Sequence, residues 1–238
     1  MDAFLQKRLN RYLHIGTRSV LFGVHSIFTH PYYVWKAWNI LENEGKPTWS
    51  LPLMVSCLVH DLGYWGKTDF DGKDEGETHP ELGAKIMHFL FDGKCEADDF
   101  GNPFVCRKCG KQATGLSFWE RLSGQRRCFK WHDFVLYHSR YYAKRDNVHY
   151  SRLCVADKLA MVITPRDLYL NQAHRTGEIE YFYENAAKYE GTGFHSGTYN
   201  GNPLRWHAEL SQFYFDWVEK HKDYSPDTVT EDRYHRHG

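Results

Sequence analysis

LPLMVSCLVHDLG, residues 51–63, reads as a helix that ends on a pair of metal-type ligands. Leu53, Met54, Val55, Cys57, Leu58 and Val59 make an apolar approach, and Gly63 closes the segment. His60 and Asp61 stand where the apolar run stops. Adjacent side chains at a helix end can both reach one ion if the helix terminates there. The dipeptide alone is weak evidence: His132-Asp133 in the same chain lacks this setting. The context of the first pair gives it weight.

Outward from this stretch the periodicity stays helical, and no long strand alternation appears, so the expected fold class is all-α. Residues 3–22 form an amphipathic stretch with Phe4, Leu5, Leu9, Tyr12 and Leu13 at helical spacing. A helix over Thr29–Asn43 places Val34, Ala37, Trp38 and Leu41 on one face, and Gly45 and Pro47 end it. The helix over 51–63 gives way to a polar loop across Asp69–Glu77. The next helix runs from Thr78 to Phe91, with Thr78 and Glu81 at capping-box spacing. Further helices are expected over Lys130–Tyr142, over Ser151–Ile163 with Pro165 stopping it, over 178–189, and over Leu204–Lys220. A Gly-, Asn- and Thr-rich loop spans 190–203, and the tail from Ser225 reads as loose. The 238 residues suit a single domain over 1–238 with one insertion, residues 92–129, where Gly, charge and Cys replace the periodic pattern.

Composition excludes several classes. Lys+Arg and Asp+Glu are both 30, so the overall field favours neither nucleic acid nor an anionic membrane. Nucleic acid stays open as a partner only through the local basic stretch Arg121, Arg126, Arg127 and Lys130. The opening MDAFLQKRLNRYLHIG interrupts its apolar residues with charge and does not read as a signal peptide. No run of about 18 apolar residues occurs, so no membrane partner is expected. A cytoplasmic location follows as the expectation, and a reducing compartment disfavours disulfides. Cys57 and Cys154, inside apolar helices, read as buried thiols.

Four more residues have the chemistry of His60 and Asp61. Thr-His-Pro occurs at 29–31 and at 78–80, each time opening a predicted helix. Proline is tolerated there because the first amides of a helix lack intrahelical partners. His30 and His79 therefore stand at helix heads, with His25 an alternative to His30. His138 falls late in the helix after Phe134. Asp157 interrupts the apolar helix RLCVADKLAMVI, and burying a bare carboxylate is costly unless it meets a cation. Imidazoles and carboxylates in this mix suit Mn, Mg, Fe, Co, Ni or Zn.

The order His30, His60-Asp61, His79, His138, Asp157 resembles the HD superfamily of metal-dependent phosphohydrolases. HPYYVWKAWNIL resembles that family's first helix, HDLGYWGK its HD turn and VADKLA its final Asp helix, over roughly residues 25–163 without the insertion. The resemblance implies an HD-type helical bundle. It implies that His30, His60, Asp61 and Asp157 bind one metal, and that Asp61 bridges to a second held by His79 and His138. Some two-metal members have adjacent histidines where this chain has Tyr137-His138. The implied activity is hydrolysis of a phosphate ester in a small phosphorylated substrate, a nucleotide or nucleotide-like molecule. A metal would lower the pKa of the attacking water, and Asp61 would hold the ions. Basic side chains near these ligands should grip the phosphate: Lys67 after the HD turn and Arg140 after His138 are favoured over Lys158. Tyr64, Trp65 and Tyr141 are candidates for stacking on a base. The alternative is a branch of the same superfamily that holds two irons and oxidises small molecules with dioxygen.

The insertion carries Cys95, Cys106, Cys109 and Cys128. Four thiols in a polar segment fit a structural, tetrahedral Zn, with His132 an alternative to one cysteine. So small a module would depend on its metal to fold.

Overall fold

In the computed structural model, residues 13–69, 76–92, 130–184 and 202–223 are described. Among them every regular element is helical. The four insertion cysteines, the basic residues 121–127, the start of the 3–22 stretch, much of the acidic loop and the tail from 225 lie outside the described residues.

Ten α-helices follow in order: α1 (Ile15–Phe22), α2 (His30–Glu42), α3 (Leu51–Val59), α4 (Pro80–Phe91), α5 (Lys130–Leu136), α6 (Arg140–Arg145), α7 (Arg152–Ile163), α8 (Arg166–Thr176), α9 (Glu178–Glu184) and α10 (Pro203–His221), counted among the described residues. Short 3-10 turns cover Leu62–Tyr64 and Gly76–Thr78. No helix among the described residues is long and apolar enough to cross a membrane.

The centre of the bundle is α7. Leu153 through Asp157 and Leu159 through Met161 are all buried, so this helix is enclosed on nearly every side. It packs against α2 on one flank and α10 on another, while α3 joins α2 to α4 and α4 packs on α5. Val34, Ala37, Cys57, Val59, Met87, Val135 and Leu153 share one core. A smaller core, with Tyr169, Ala173, Ile179 and Trp206, lies under α8 to α10. Cys57 and Cys154 are buried, and burial pushes the Cys57 thiol up to about 12.

The element boundaries depart from the sequence expectation at four places. The helix expected over 51–63 ends at Val59. His60 is its C-cap and keeps helical backbone angles, Asp61 lies at φ −99° and ψ 0°, and the chain then tightens into a 3-10 turn. The helix expected over 130–142 is broken: α5 stops at Leu136, Ser139 is extended, and α6 begins at Arg140. The Tyr137 carbonyl at that break accepts from the Ser151 amide at 2.8 Å. The capping box at Thr78 and Glu81 does not form. His79 is the N-cap, while the Thr78 hydroxyl accepts from Lys67 Nζ at 2.7 Å. Beyond Pro165 the chain enters a further helix, α8, that periodicity does not announce. Its sequence RDLYLNQAHRT is mostly polar, and only Tyr169, Leu170, Ala173 and Thr176 are buried.

Two glycines set the spacing that matters for the site. A Cβ on Gly63 would lie 1.8 Å from the His79 carbonyl oxygen, and one on Gly83 would lie 2.4 Å from that of Val59. Both contacts are with backbone, which cannot swing aside. Only glycine lets the turn after Asp61, and α3 before it, lie directly on the head of α4.

The flanks of the insertion meet. Asp92 accepts from the amides of Trp131 at 2.9 Å and His132 at 2.8 Å, capping the start of α5. The chain therefore leaves and re-enters the bundle at one place.

Candidate metal centre

Six side chains from five separate chain segments converge at the junction of α2, α3, α4, α5 and α7. His30 is the first residue of α2, His60 and Asp61 end α3, His79 caps α4, His138 lies in the break between α5 and α6, and Asp157 is mid-α7. All are buried, from 1 % exposed at His60 to 9 % at His30 and Asp157. They form two groups: His30, His60, Asp61 and Asp157, and then Asp61, His79 and His138. Within each group one ligand atom per residue lies within 4.8 Å of the others.

Asp61 belongs to both groups, and its two oxygens divide the work. Oδ2 lies 3.3 Å from His30 Nε2 and 3.2 Å from His60 Nε2. Oδ1 lies 3.6 Å from His79 Nε2 and 3.5 Å from His138 Nε2. Asp157 adds its Oδ1 to the first group, 3.0 Å from His30 Nε2 and 3.6 Å from His60 Nε2.

Three of the imidazoles are oriented by one local device. Each Nδ1–H donates to the carbonyl three residues earlier: His60 to Cys57 at 2.9 Å, His79 to Gly76 at 2.6 Å and His138 to Val135 at 2.6 Å. This fixes the tautomer, so each Nε2 turns a lone pair toward the cluster. The device needs the chain to turn at each histidine, and all three stand at a helix end. The breaks that interrupt the expected helices at Val59 and Leu136 thus place His60 and His138. Tyr64 stacks on His79, with centroids 4.1 Å apart and planes 9° from parallel, which locks that ring further.

The donor set fits divalent metal ions. His79 Nε2 and His138 Nε2 lie 3.1 Å apart, and with both Nδ1 positions protonated neither has a hydrogen for the other. Two facing lone pairs at that distance call for a cation. His60 Nε2 and Asp61 Oδ2 are fully buried yet make no hydrogen bond of acceptable geometry. Such orphaned atoms are costly unless something else satisfies them.

The electrostatics point the same way. Burial disfavours charge on His60, but Asp61 and Asp157 outweigh it and raise the imidazole to about 10. His30 is raised against burial by bonds to the same two carboxylates. Burial and the neighbouring His138 hold His79 well below the ordinary imidazole range. Asp61 and Asp157 are held well below the carboxylate range despite burial, the former chiefly by His60 and the latter chiefly by Lys158. The carboxylates that favour positive charge at His30 and His60 would equally favour a metal cation there.

No known protein family, curated protein or solved structure matches this chain. The reading of the site therefore rests on its own geometry.

Other residues singled out in the sequence take varied places. His25 is not among the grouped ligands. It packs on Tyr64, its Nδ1 lies 2.8 Å from Ser19 Oγ, and burial lowers it to about 4. Tyr137 points away, donating to Asp146 at 3.3 Å. Tyr64, given over to His79, is buried, whereas Trp65 is exposed. Tyr141 packs edge-on against Tyr142. Lys67 donates to Thr78, next to His79. The Arg140 guanidinium lies over the Trp217 ring at 5.3 Å. His132 Nδ1 lies 3.0 Å from Asp133 Oδ1.

Sequence reasoning ranked Lys158 last among the basic candidates, yet its ammonium lies 2.7 Å from Asp157 Oδ2. Its adjacency to Asp157 was the available signal. Reasoning from sequence also missed Glu178, completely buried behind His25 with the Val24 amide donating to it at 3.1 Å. No pattern in GEIEYF marks that one glutamate as internal.

Proposed function

We propose that this chain is an HD-type metal-dependent phosphohydrolase that cleaves a phosphate ester of a nucleotide or nucleotide-like substrate. The observation that carries the reading is the division of Asp61, one oxygen toward His30 and His60 and the other toward His79 and His138. A carboxylate so placed would join two ligand groups into one dinuclear centre. His30, His60, Asp61 and Asp157 would hold one ion, and Asp61, His79 and His138 the other.

When bound, divalent ions supply Lewis acidity, which favours a hydroxide nucleophile near neutral pH and offsets charge on phosphoryl oxygens. The chain's own residues do the rest. The carbonyls of Cys57, Gly76 and Val135 hold three imidazoles in the ligating tautomer. The Gly63 contact keeps Asp61 against His79. Lys67, held by Thr78 next to His79, supplies positive charge beside the second group of ligands for an anionic substrate, and Arg140 begins α6 just after His138. The cysteine-bearing insertion, read as a structural zinc module, precedes α5 in the chain, close in sequence to His138.

The test is to incubate the full chain with Mn or Mg and a panel of nucleoside mono-, di- and triphosphates and cyclic dinucleotides, with Asp61→Ala alongside. Turnover that disappears in Asp61→Ala is the expected result and names the substrate class. A folded, metal-loaded protein that turns over none of them overturns the reading. Iron content with oxygen uptake in that protein would instead support the oxygenase branch.

A further inference from the structure

The side of the centre formed by Asp157 faces α10, which lies outside the stretch that resembles the HD superfamily. Two cations meet that helix. Lys158 Nζ lies over the Tyr214 ring at 5.7 Å, and the Arg140 guanidinium lies over the Trp217 ring at 5.3 Å. Tyr214 and Trp217 are three residues apart on one helix, so their side chains are neighbours on its surface. The two aromatics thereby bring the two positive groups to one helix, and the Arg140 charge reaches Lys158.

One end of this pair reaches the cluster. Lys158 Nζ is 2.7 Å from Asp157 Oδ2, while Asp157 Oδ1 faces His30 and His60. Its side chain is 22 % exposed, so it is sheltered without being wholly enclosed. Arg140 is half-buried and begins α6 immediately after the His138 break. A Lys ammonium has three donors, and the contact with Asp157 uses one.

From this geometry we infer that Lys158 and Arg140, positioned by Tyr214 and Trp217 of α10, form the anion subsite that binds the phosphate group of the substrate. The inference rests on the metal-centre reading above and makes it more specific. Lys158 takes phosphate oxygens next to the His30, His60 and Asp157 ligands, and Arg140 takes the next phosphate along, or the far oxygens of the same one. Arg suits this outer position because its planar fork pairs two oxygens at once. The preferred ligand is therefore a chain of two or more phosphates rather than a single one.

The full chain loaded with Mn is titrated calorimetrically with inorganic phosphate and with pyrophosphate, and its metal content is measured in parallel. Wild-type protein should bind both, pyrophosphate more tightly. Lys158→Gln, which can still hydrogen-bond Asp157, should keep its metal and weaken both anions about tenfold or more, as expected for a lost charged hydrogen bond. Lys158→Arg should recover most of the affinity. Arg140→Gln should weaken pyrophosphate several-fold more than phosphate. Lys46→Gln, a charge loss in the exposed link between α2 and α3, should change neither. Unchanged anion affinity in metal-loaded Lys158→Gln and Arg140→Gln overturns the inference, as does loaded wild-type protein that binds neither anion. If Lys158→Gln loses its metal, Arg140→Gln decides alone. Wild-type protein that takes up no metal overturns the metal reading itself, a separate failure.

Discussion

Asp61 lies among four imidazoles with 6 % of its surface exposed, and Glu178 is completely buried among the Val24 amide, nearby hydroxyls and His25. Both carboxylates have left water, yet their charge states move in opposite directions. The imidazoles hold Asp61 well below the carboxylate range against burial. Burial dominates at Glu178 and raises it to about 7, with the bonds from Ser19, Val24 and Thr176 only partly opposing. Glu178 Oε1 also lacks a hydrogen bond of good geometry, and a Cβ on Gly23 would sit 2.7 Å from either carboxylate oxygen. Glu178 is thus packed closely against the Gly23 backbone. A buried acid becomes a metal-type ligand when other ligands face it with their lone pairs. Burial alone makes it a neutral acid.

Three experiments would break or sharpen that contrast. The largest effect is expected at Asp61. Asp61→Asn keeps the shape but removes the charge shared by both ligand groups, so metal affinity should fall by more than about 100-fold, since outer-layer changes alone cost 10–100-fold. Metal content and calorimetric titration would measure it, and retention of two ions would remove Asp61 from its joining role.

A smaller, divided effect is expected from the two sides of the centre. His138→Ala should release the ion held with His79 and leave the one held by His30, His60 and Asp157, and His30→Ala should do the reverse. Stoichiometry by elemental analysis reads this directly. Loss of both ions together in both variants would show one indivisible site. Uptake in wild-type protein should also release protons and strengthen as pH rises, because His30 and His60 are raised in the metal-free state and must deprotonate to ligate.

The smallest effect is expected at Glu178. Glu178→Gln should leave metal stoichiometry unchanged and alter how stability depends on pH. Unfolded Glu178 ionises near its ordinary 4.5 and folded Glu178 near 7. Below 4.5 both states are protonated and the buried acid carries no charge penalty. Between the two values only the unfolded chain ionises, so stability falls as pH rises through that window, by an amount on the order of 3 kcal/mol at 1.4 kcal/mol per unit. Urea unfolding at pH 4.5 and 7.5 should show that loss in wild-type protein and not in Glu178→Gln. Matching pH profiles would end the contrast drawn here.

Much of the site was legible because its ligands announce themselves against their surroundings. His60-Asp61 ends an apolar helix, His30 and His79 share the Thr-His-Pro opening, and Asp157 is a charge inside VADKLA. Each is locally out of place, and local misfit is what a sequence can display. Where each helix ended was less legible. Lys130–Tyr142 has an unbroken helical rhythm, yet Ser139 is extended and the Tyr137 carbonyl pairs with Ser151, a contact from the neighbouring helix. α8 was invisible because its buried face is only four residues wide in a polar segment.

Helical elements, their apolar faces and six residues whose chemistry suits a divalent metal can be read along the chain without its packing. These follow from periodicity and residue type, which are local properties. Only the tertiary structure decided which lone pairs face each other, how Asp61 divides its oxygens, that Lys158 and Arg140 share α10, and that Glu178 is internal. Those depend on backbones brought within contact by Gly63 and Gly83 and on segments more than a hundred residues apart, such as His30 and Asp157, and no local pattern encodes such distances.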